Sequence, residues 1–505
     1  MSLPMIAAPP PTLAGALLVL VVVLPLLGFL PFFFLGARIA ERLALGLLAL
    51  GLIGALAIAA EVSGSGAAVA YFIGGWAPPL GVALRADGFS ALMLAMTAAA
   101  LLATGLFAMT GIGAARPRMP PVFWPLVLAA ACALNLAFTA EDLFTLFVAL
   151  ELLTFAAVPL VCLDGRPAQY EAALRYLLYA LFGSALYLLG VVLIYGLYGT
   201  LDILLIAGRV AVEARSPPAL MLALALMSVG LMAKAALFPF YLWLPPAHAG
   251  APAAASAMLS AVVIKAPLFL LLRLWLDLAP QTLAFAAGPL IAACGAGAIL
   301  LCGLFALGQK RLKLMIAYST AAQIGYLCLV VPLAAGAADG GLALTAGAIH
   351  LVSHAFSKAA MFMAAGLIYE ALGHDRMDGL RGVGRALPVS LFAFALGGAS
   401  LMGLPPSGGF TAKVMLLTAA VGQQAWWIVA VVMAGGLLAA GYVLKVIVPA
   451  LQAPDRPLEI TPVSRGREMV ALALALGAVA LGFLPLEPSP FLAIGRPGAW
   501  AEAVQ

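Results

Sequence analysis

The sequence predicts an all-α integral membrane protein of about fourteen transmembrane helices, and three observations lead there. First, of 505 residues, 65% are hydrophobic and 9% are charged, and the mean hydropathy is +1.15. A water-soluble chain carries roughly 25% charged residues to cover its surface, so most of this surface must face lipid. Second, the apolar residues gather into fourteen runs long enough to cross a bilayer. Third, the loops between those runs alternate between rich and poor in basic residues. The same composition excludes disorder, collagen-like repeats and a secreted disulfide scaffold.

A helix needs about 20 mostly apolar residues to cross the hydrocarbon. In the first half the runs lie near 13–34, 43–62, 87–111, 122–138, 142–163, 172–197 and 219–244. The second half adds 252–275, 283–305, 311–332, 341–370, 388–420, 425–450 and 467–486. The first run follows an N-terminus without the basic residues of a cleavable signal, so it is expected to be retained. Asp142 opens span 5, where an anion at a helix N-terminus suffices to explain it. Spans 7 and 12 contain breaks, at Pro239 and at Pro405–Pro406 followed by Gly408 and Gly409. Proline removes a helix hydrogen bond, and in lipid the freed carbonyls must be met by protein or by water in a cavity. The many glycines and alanines along the spans read as close-packing positions.

Loops after odd-numbered spans hold fifteen lysines and arginines, from Arg38 and Arg42 to Arg465 and Arg467; loops after even-numbered spans hold four, Arg85, Arg209, Arg215 and Arg273. Cytoplasmic loops are enriched in basic residues, so a multi-pass protein of the cell inner membrane is expected, with both termini on the non-cytoplasmic side. This asymmetry accounts for the net charge of +5 without a nucleic-acid partner. Lys445 lies near the inner end of span 13, where it snorkels.

Lys234, Lys265, Lys358 and Lys413 remain, each well inside an apolar run, together with Glu151 in span 5 and His350 and His354 in span 11. A charge at the bilayer centre costs about 2.5–3.5 kcal/mol on insertion scales, so such groups face a polar interior, pair with one another or handle ions. His350, His354 and Lys358 follow at i, i+4 and i+8, one stripe on one helix face, with Ser353 and Ser357 beside it. Two imidazoles and an amine suit proton transfer, because histidine exchanges protons near neutral pH. Each group also has an ordinary explanation. A lone lysine snorkels, a lone histidine bonds a neighbouring helix, and Glu151 neutralises a lysine. His248, in PPAHAG, reads as a loop histidine and His374 as a solvated one. The five cysteines form no CxxC pair and read as buried small hydrophobes. Phosphate-binding, dinucleotide, haem-attachment and iron–sulfur signals are missing, so no cofactor and no metal are expected. Any driving energy must then come from an ion gradient or a partner.

Six stretches carry a resemblance: DLFTLFVALEL (142–152), AKAALFPFYLWLPPAHAGAP (233–252), SAMLSAVVIK (256–265), QKRLKLMIAYSTAAQIGY (309–326), HLVSHAFSKAAMFMAAG (350–366) and GLPPSGGFTAK (403–413). Together they resemble the antiporter-like family shared by the D subunit of the Mrp multisubunit Na⁺/H⁺ antiporter and the proton-pumping subunits of respiratory complex I. The likeness runs from about residue 87 to 450, and YSTAAQIGY and SKAAMFMAAG look closer to the Mrp branch than to complex I. It implies two inverted five-helix repeats with broken helices 7 and 12. The expected division is 1–120 for helices 1–3, 121–280 for helices 4–8, 281–450 for helices 9–13, and 451–505 for a loop and helix 14. It also implies a proton-transfer set of Glu151, Lys234, Lys265, His350, His354, Lys358 and Lys413. Many relatives carry histidine a few residues before the helix-8 lysine, where this chain has Ser260, so either water bridges that gap or the route differs.

The expected activity is that of a proton-translocating membrane subunit of a multisubunit cation (Na⁺)/proton antiporter, a transporter subunit rather than an enzyme. Its partners would be other membrane subunits, the lipid bilayer, H⁺ and Na⁺. The alternative is a proton-pumping subunit of complex I or a membrane-bound hydrogenase, with redox chemistry in other subunits. A self-sufficient carrier is the third reading.

Overall fold

The computed structural model describes residues 12–32, 34–109, 119–213, 215–336, 340–454 and 458–496. Among the described residues, the fourteen apolar runs become fourteen spans. Span 1 is Leu13–Leu27 with the short turn Phe29–Phe32, and span 4 is Phe123–Thr139. Ten long apolar helices form spans 2, 3, 5, 6, 8, 9, 10, 11, 13 and 14: Ala37–Ser65, Gly88–Ala108, Leu143–Val161, Pro167–Tyr198, Ala253–Leu278, Gln281–Gly308, Leu312–Ala335, Gly340–Leu372, Trp426–Leu451 and Arg465–Phe483. Spans 8, 10 and 11 are buried over nearly their whole length, whereas spans 2, 13 and 14 turn mostly outward. The charged candidates thus lie on or beside the helices most removed from lipid.

Spans 7 and 12, five apart, are each broken into two helices. Span 7 runs as Pro218–Lys234 and resumes as Leu244–Gly250; span 12 runs as Pro388–Met402 and resumes as Gly408–Gly422. The backbone groups released by the breaks are met inside the protein, as a lipid environment demands. Ala233 O accepts from Trp243 Nε1 at 2.9 Å, and Leu401 O and Met402 O accept from Lys413 Nζ at 2.6 and 3.1 Å. Gly403 ends the first half of span 12 at φ +86°, a left-handed conformation that glycine adopts freely. Small residues let helices touch in both halves of the chain: a Cβ on Gly183 would stand 2.6 Å from Gly230 O, and one on Gly295 2.5 Å from Gly325 O.

The loops sort onto two faces. Asp164 and Arg166 after span 5, Gly250 to Pro252 after span 7, Arg311 after span 9, Asp375 after span 11 and Arg467 after span 13 all line one cavity of about 600 Å³. The loops after spans 5, 7, 9, 11 and 13 therefore share a face. Arg116, Arg118 and Arg456, counted with them in the sequence, lie outside the described residues. The opposite face carries Arg85, Glu141, Asp202 and the end of span 8. Here two strands, β1 (Val69–Phe72) and β2 (Ala83–Ala86), pair antiparallel with Val69 opposite Ala86. A short helix, Ile203–Ala211, follows on the same face, capped by the Asp202 side chain. Neither the hairpin nor this helix was expected: both are too short to show a period in sequence. Arg273 also departs from expectation, since it sits within the helix of span 8 rather than in a loop.

Candidate functional site

Span 5 begins at Asp142, whose carboxylate accepts from Thr145 N at 2.7 Å as an N-cap. Two turns on, Glu151 meets the last residue of the first half of span 7. Lys234 Nζ donates to Glu151 Oε1 at 2.9 Å and to Thr154 Oγ1 at 3.1 Å. The Ser184 hydroxyl of span 6 lies against the same carboxylate oxygen. The lysine side chain is 5% exposed and the glutamate 18%, so one carboxylate face reaches the perimeter of the chain.

Lys265 is fully buried in span 8. A stretch of π-helix, Leu259–Val263, widens the turn ahead of it, and Lys265 Nζ donates to Ser260 O at 2.9 Å. The same nitrogen lies 2.6 Å from His354 Nδ1. Ser260 itself pairs with Thr320 at 3.0 Å. With serine rather than histidine at this position, the lysine contacts span 11 directly.

On span 11 the His350 and His354 rings stack with centroids 5.9 Å apart and planes 10° from parallel. His350 Nε2 stands 2.9 Å from Gln323 O; a carbonyl only accepts, so this nitrogen carries a proton. The stripe does not close into one column, because Lys358 turns to span 10 and donates to Ile316 O at 3.1 Å and Ser319 Oγ at 2.5 Å. Ser353 bonds Ser400 at 2.7 Å, while the buried Ser357 Oγ has no hydrogen-bond partner among the described residues.

Tyr326 joins the stripe to span 12. Its ring centroid lies 5.2 Å from that of His350 and 5.0 Å from Lys413 Nζ. A cavity of about 10 Å³ opens between His350 and Lys413, roughly the 10–15 Å³ that one water needs. Lys265, His354, His350 and Lys413 therefore form one buried series. Glu151 and Lys234 form a separate pair, and Lys358 is a side branch.

His248 corrects the sequence reading. Its ring is wholly buried in the second half of span 7, 4.7 Å from the Phe362 ring, and neither ring nitrogen has a partner among the described residues. It stands between the residues lining the large cavity, Ala249 to Ala254, and the span 11 turn that carries Lys358. The reading as a loop residue failed because span 7 resumes after its break. Thr154, Ser184, Ser319 and Tyr326 also escaped the sequence, since hydroxyl residues are common on membrane helices and only packing selects these. Lys445 donates to Leu307 O and Gln309 O at 2.7 and 2.8 Å, where it caps the end of span 9.

Residues 140–439 match the profile of the NADH:quinone oxidoreductase/Mrp antiporter transmembrane family. The chain is 33% identical over 445 residues to the N subunit of the NADH-quinone oxidoreductase of Desulforudis audaxviator, covering 85% of each. To the D subunit of the Na(+)/H(+) antiporter of Alkalihalophilus pseudofirmus it is 29% identical, covering 77% of each. In structure it is similar to a chain of the Mrp complex from a Dietzia species, with a TM-score of 0.86, 27% identity and coverage of 95% of this chain and 97% of that one. The profile match encloses every one of the seven ionisable candidates, and with these likenesses it follows that the chain belongs to the NADH:quinone oxidoreductase/Mrp antiporter transmembrane family.

Proposed function

We propose that this chain is a proton-translocating membrane subunit of a multisubunit Na⁺/proton antiporter, embedded in the cell inner membrane with other membrane subunits. The buried series Lys265–His354–His350–Lys413, with the Glu151–Lys234 pair at its head, carries the reading. An isolated charge in the bilayer interior is expensive, and seven ionisable groups in or beside one series are the pattern of a path for a charged species. On this reading the basic-loop face is cytoplasmic, the hairpin face and both termini lie outside, and helices 4–8 and 9–13 are the two repeats.

Glu151 keeps Lys234 charged at rest. A movement of span 5, or a charge brought by a neighbouring subunit to the exposed side of Glu151, loosens the pair and the ammonium gives up its proton. Water passes it to Lys265, which is in contact with His354. The stacked imidazoles move it to His350 and, by the small cavity beside Tyr326, to Lys413. The large cavity supplies the basic-loop end, with His248 and Lys358 between it and the histidines. Each step asks of a side chain only that it take a proton and release it.

Lys234→Ala and Glu151→Ala are expected to abolish antiport in everted vesicles while the complex still assembles. Exchange at the wild-type rate in both variants would sink the relay. The 33% identity to an N subunit of NADH-quinone oxidoreductase favours a second reading, in which the same relay is driven by redox chemistry in other subunits. Polypeptides that co-purify in mild detergent decide between them: small Mrp-type membrane subunits for the first, quinone- or hydrogenase-module subunits for the second.

A further inference from the structure

Span 8 carries a stripe of which the relay above uses only Lys265. Lys265, Phe269, Arg273 and Asp277 follow one another in steps of four, each drifting only about 40° around the helix. Span 8 is buried along its length, so the stripe runs inside the protein from the middle of the relay to the hairpin face. It ends there in a buried ionic cluster. Arg273 Nη1 lies 2.5 Å from Asp87 and 2.8 Å from Asp277, and Arg496 Nε donates to Asp277 at 3.0 Å. Arg85, on β2, stands 3.8 Å from Asp87 and 3.4 Å from Glu141. Three guanidiniums thus face three carboxylates, and Glu141 is the one held most loosely. Its backbone is fixed on both sides, with its N–H donating to Ala83 O and its carbonyl accepting from Ile203 N.

The cluster surrounds a cavity of about 20 Å³, lined by Glu141, Arg85, Ser90, Arg273, Asp277 and Phe269 among others, enough for one water at about 10–15 Å³. Phe269 stands between this cavity and Lys265. Its ring meets Phe138 edge-on at 5.2 Å and Phe89 at 4.9 Å, and Arg273 lies over it at 5.0 Å. An apolar constriction of this kind stops a water wire by dewetting and opens it when the rings part.

We propose that Glu141 is a proton-exchange group on the hairpin face, the end of a second branch that leaves Lys265 along span 8 and is gated by Phe269 with Phe89 and Phe138. The inference rests on the proton-relay reading above. When the rings part, the Lys265 ammonium passes its proton through water to the Glu141 carboxylate, leaving a neutral amine and a carboxylic acid; the acid then releases the proton to the solvent on that face. Burial pushes the Glu141 carboxyl up to about 7, against the pull of Arg85 and Arg273, with Asp202 and Asp87 adding to the rise. Both its forms are therefore accessible near neutral pH, and its contact with Arg85 Nη1, at 3.4 Å, is longer than those that Arg273 makes to Asp87 and Asp277.

The test uses the complete complex in proteoliposomes, without exchange cation, under an imposed pH gradient read by an entrapped dye. Phe269→Ala is expected to open a proton leak, and adding Glu141→Gln to return it to the wild-type level. A Phe269→Ala leak no faster than wild type, or one that persists after Glu141→Gln, overturns the branch. Antiport by wild type and its loss in Lys234→Ala are measured on the same preparations. Failure of the relay itself shows as exchange by Lys234→Ala, whereas failure of the branch leaves that control intact. If Phe269→Ala does not assemble, the dependence of exchange rate on hairpin-side pH is compared for wild type and Glu141→Gln. A bend near pH 7 that the variant lacks supports the branch, and superposable profiles overturn it.

Discussion

Lys265 and Lys413 have the same side chain but different partners, one an imidazole nitrogen and a carbonyl of its own span, the other two helix-end carbonyls. A lysine is suited to such work because it can release its proton, whereas arginine stays charged at any physiological pH. Lys265→Arg is therefore expected to stop exchange in vesicles while the complex assembles in normal yield; exchange within a few-fold of wild type would contradict the role. The Glu151–Lys234 pair makes a second prediction. Removing one partner of a buried pair costs about 3–5 kcal/mol, because a charge is left without its counter-ion. Glu151→Ala is thus expected to lower the thermal unfolding temperature in detergent more than Glu151→Ala/Lys234→Ala does. For Glu141 the sign runs the other way from most carboxylates. Its value in the fold, about 7, lies above the ordinary 4.5, so its contribution to stability is full below pH 4.5 and lost as the pH rises through 7. Glu141→Gln, neutral throughout, should flatten the thermal-stability profile across that window.

Among the elements, the break in span 12 does most to place the site. Gly403, Ser400, the resumed helix and Lys413 form one unit: Gly409 N donates to Ser400 Oγ at 3.2 Å, and Lys413 takes the carbonyls at the end of the first helix. A Cβ on Gly403 would need the left-handed conformation, a cost of roughly 1–2 kcal/mol, and would stand 2.9 Å from Lys413 Cδ. Gly403→Ala is expected to slow exchange severalfold, and Gly403→Asn, which tolerates that conformation better, to push on Lys413 in the same way. Equal rates for wild type and both variants would show that the lysine position is immaterial. The breaks themselves were legible as Pro239 and Pro405–Pro406. What the sequence concealed was the resumption of span 7, which carries His248 into the interior and makes an apparent loop histidine a buried one.

Over the whole molecule, two faces of unlike charge enclose a spine of three buried helices. The alternation of basic loops read from the sequence agrees with the cavity that gathers the loops after spans 5, 7, 9, 11 and 13, and the positive-inside rule is the ground for the proposal that this face is cytoplasmic. Trp76 on the hairpin side is 64% exposed, and the Arg376 side chain on the other face is 70% exposed, so each offers a labelling site. The five native cysteines are buried or half-buried. Membrane-impermeant thiol reagents are expected to modify Trp76→Cys in right-side-out vesicles and Arg376→Cys in everted ones. The reverse pattern would invert the topology.

The sequence by itself determined the number of spans, the places where two of them break and the identity of the charged residues inside them. All three are consequences of the bilayer, which demands long apolar runs and makes every intramembrane charge and every unmet carbonyl conspicuous. Only the tertiary structure decided which of those charges meet. Helical spacing aligned Lys358 with the histidines, yet Ser319 and Ile316 on another helix hold it aside, while Lys265, far away in sequence, contacts His354. A hydrogen bond reaches about 3 Å, and which side chains come that close depends on how whole helices pack, a matter of shape shared by many residues rather than spelled out along one strand of sequence.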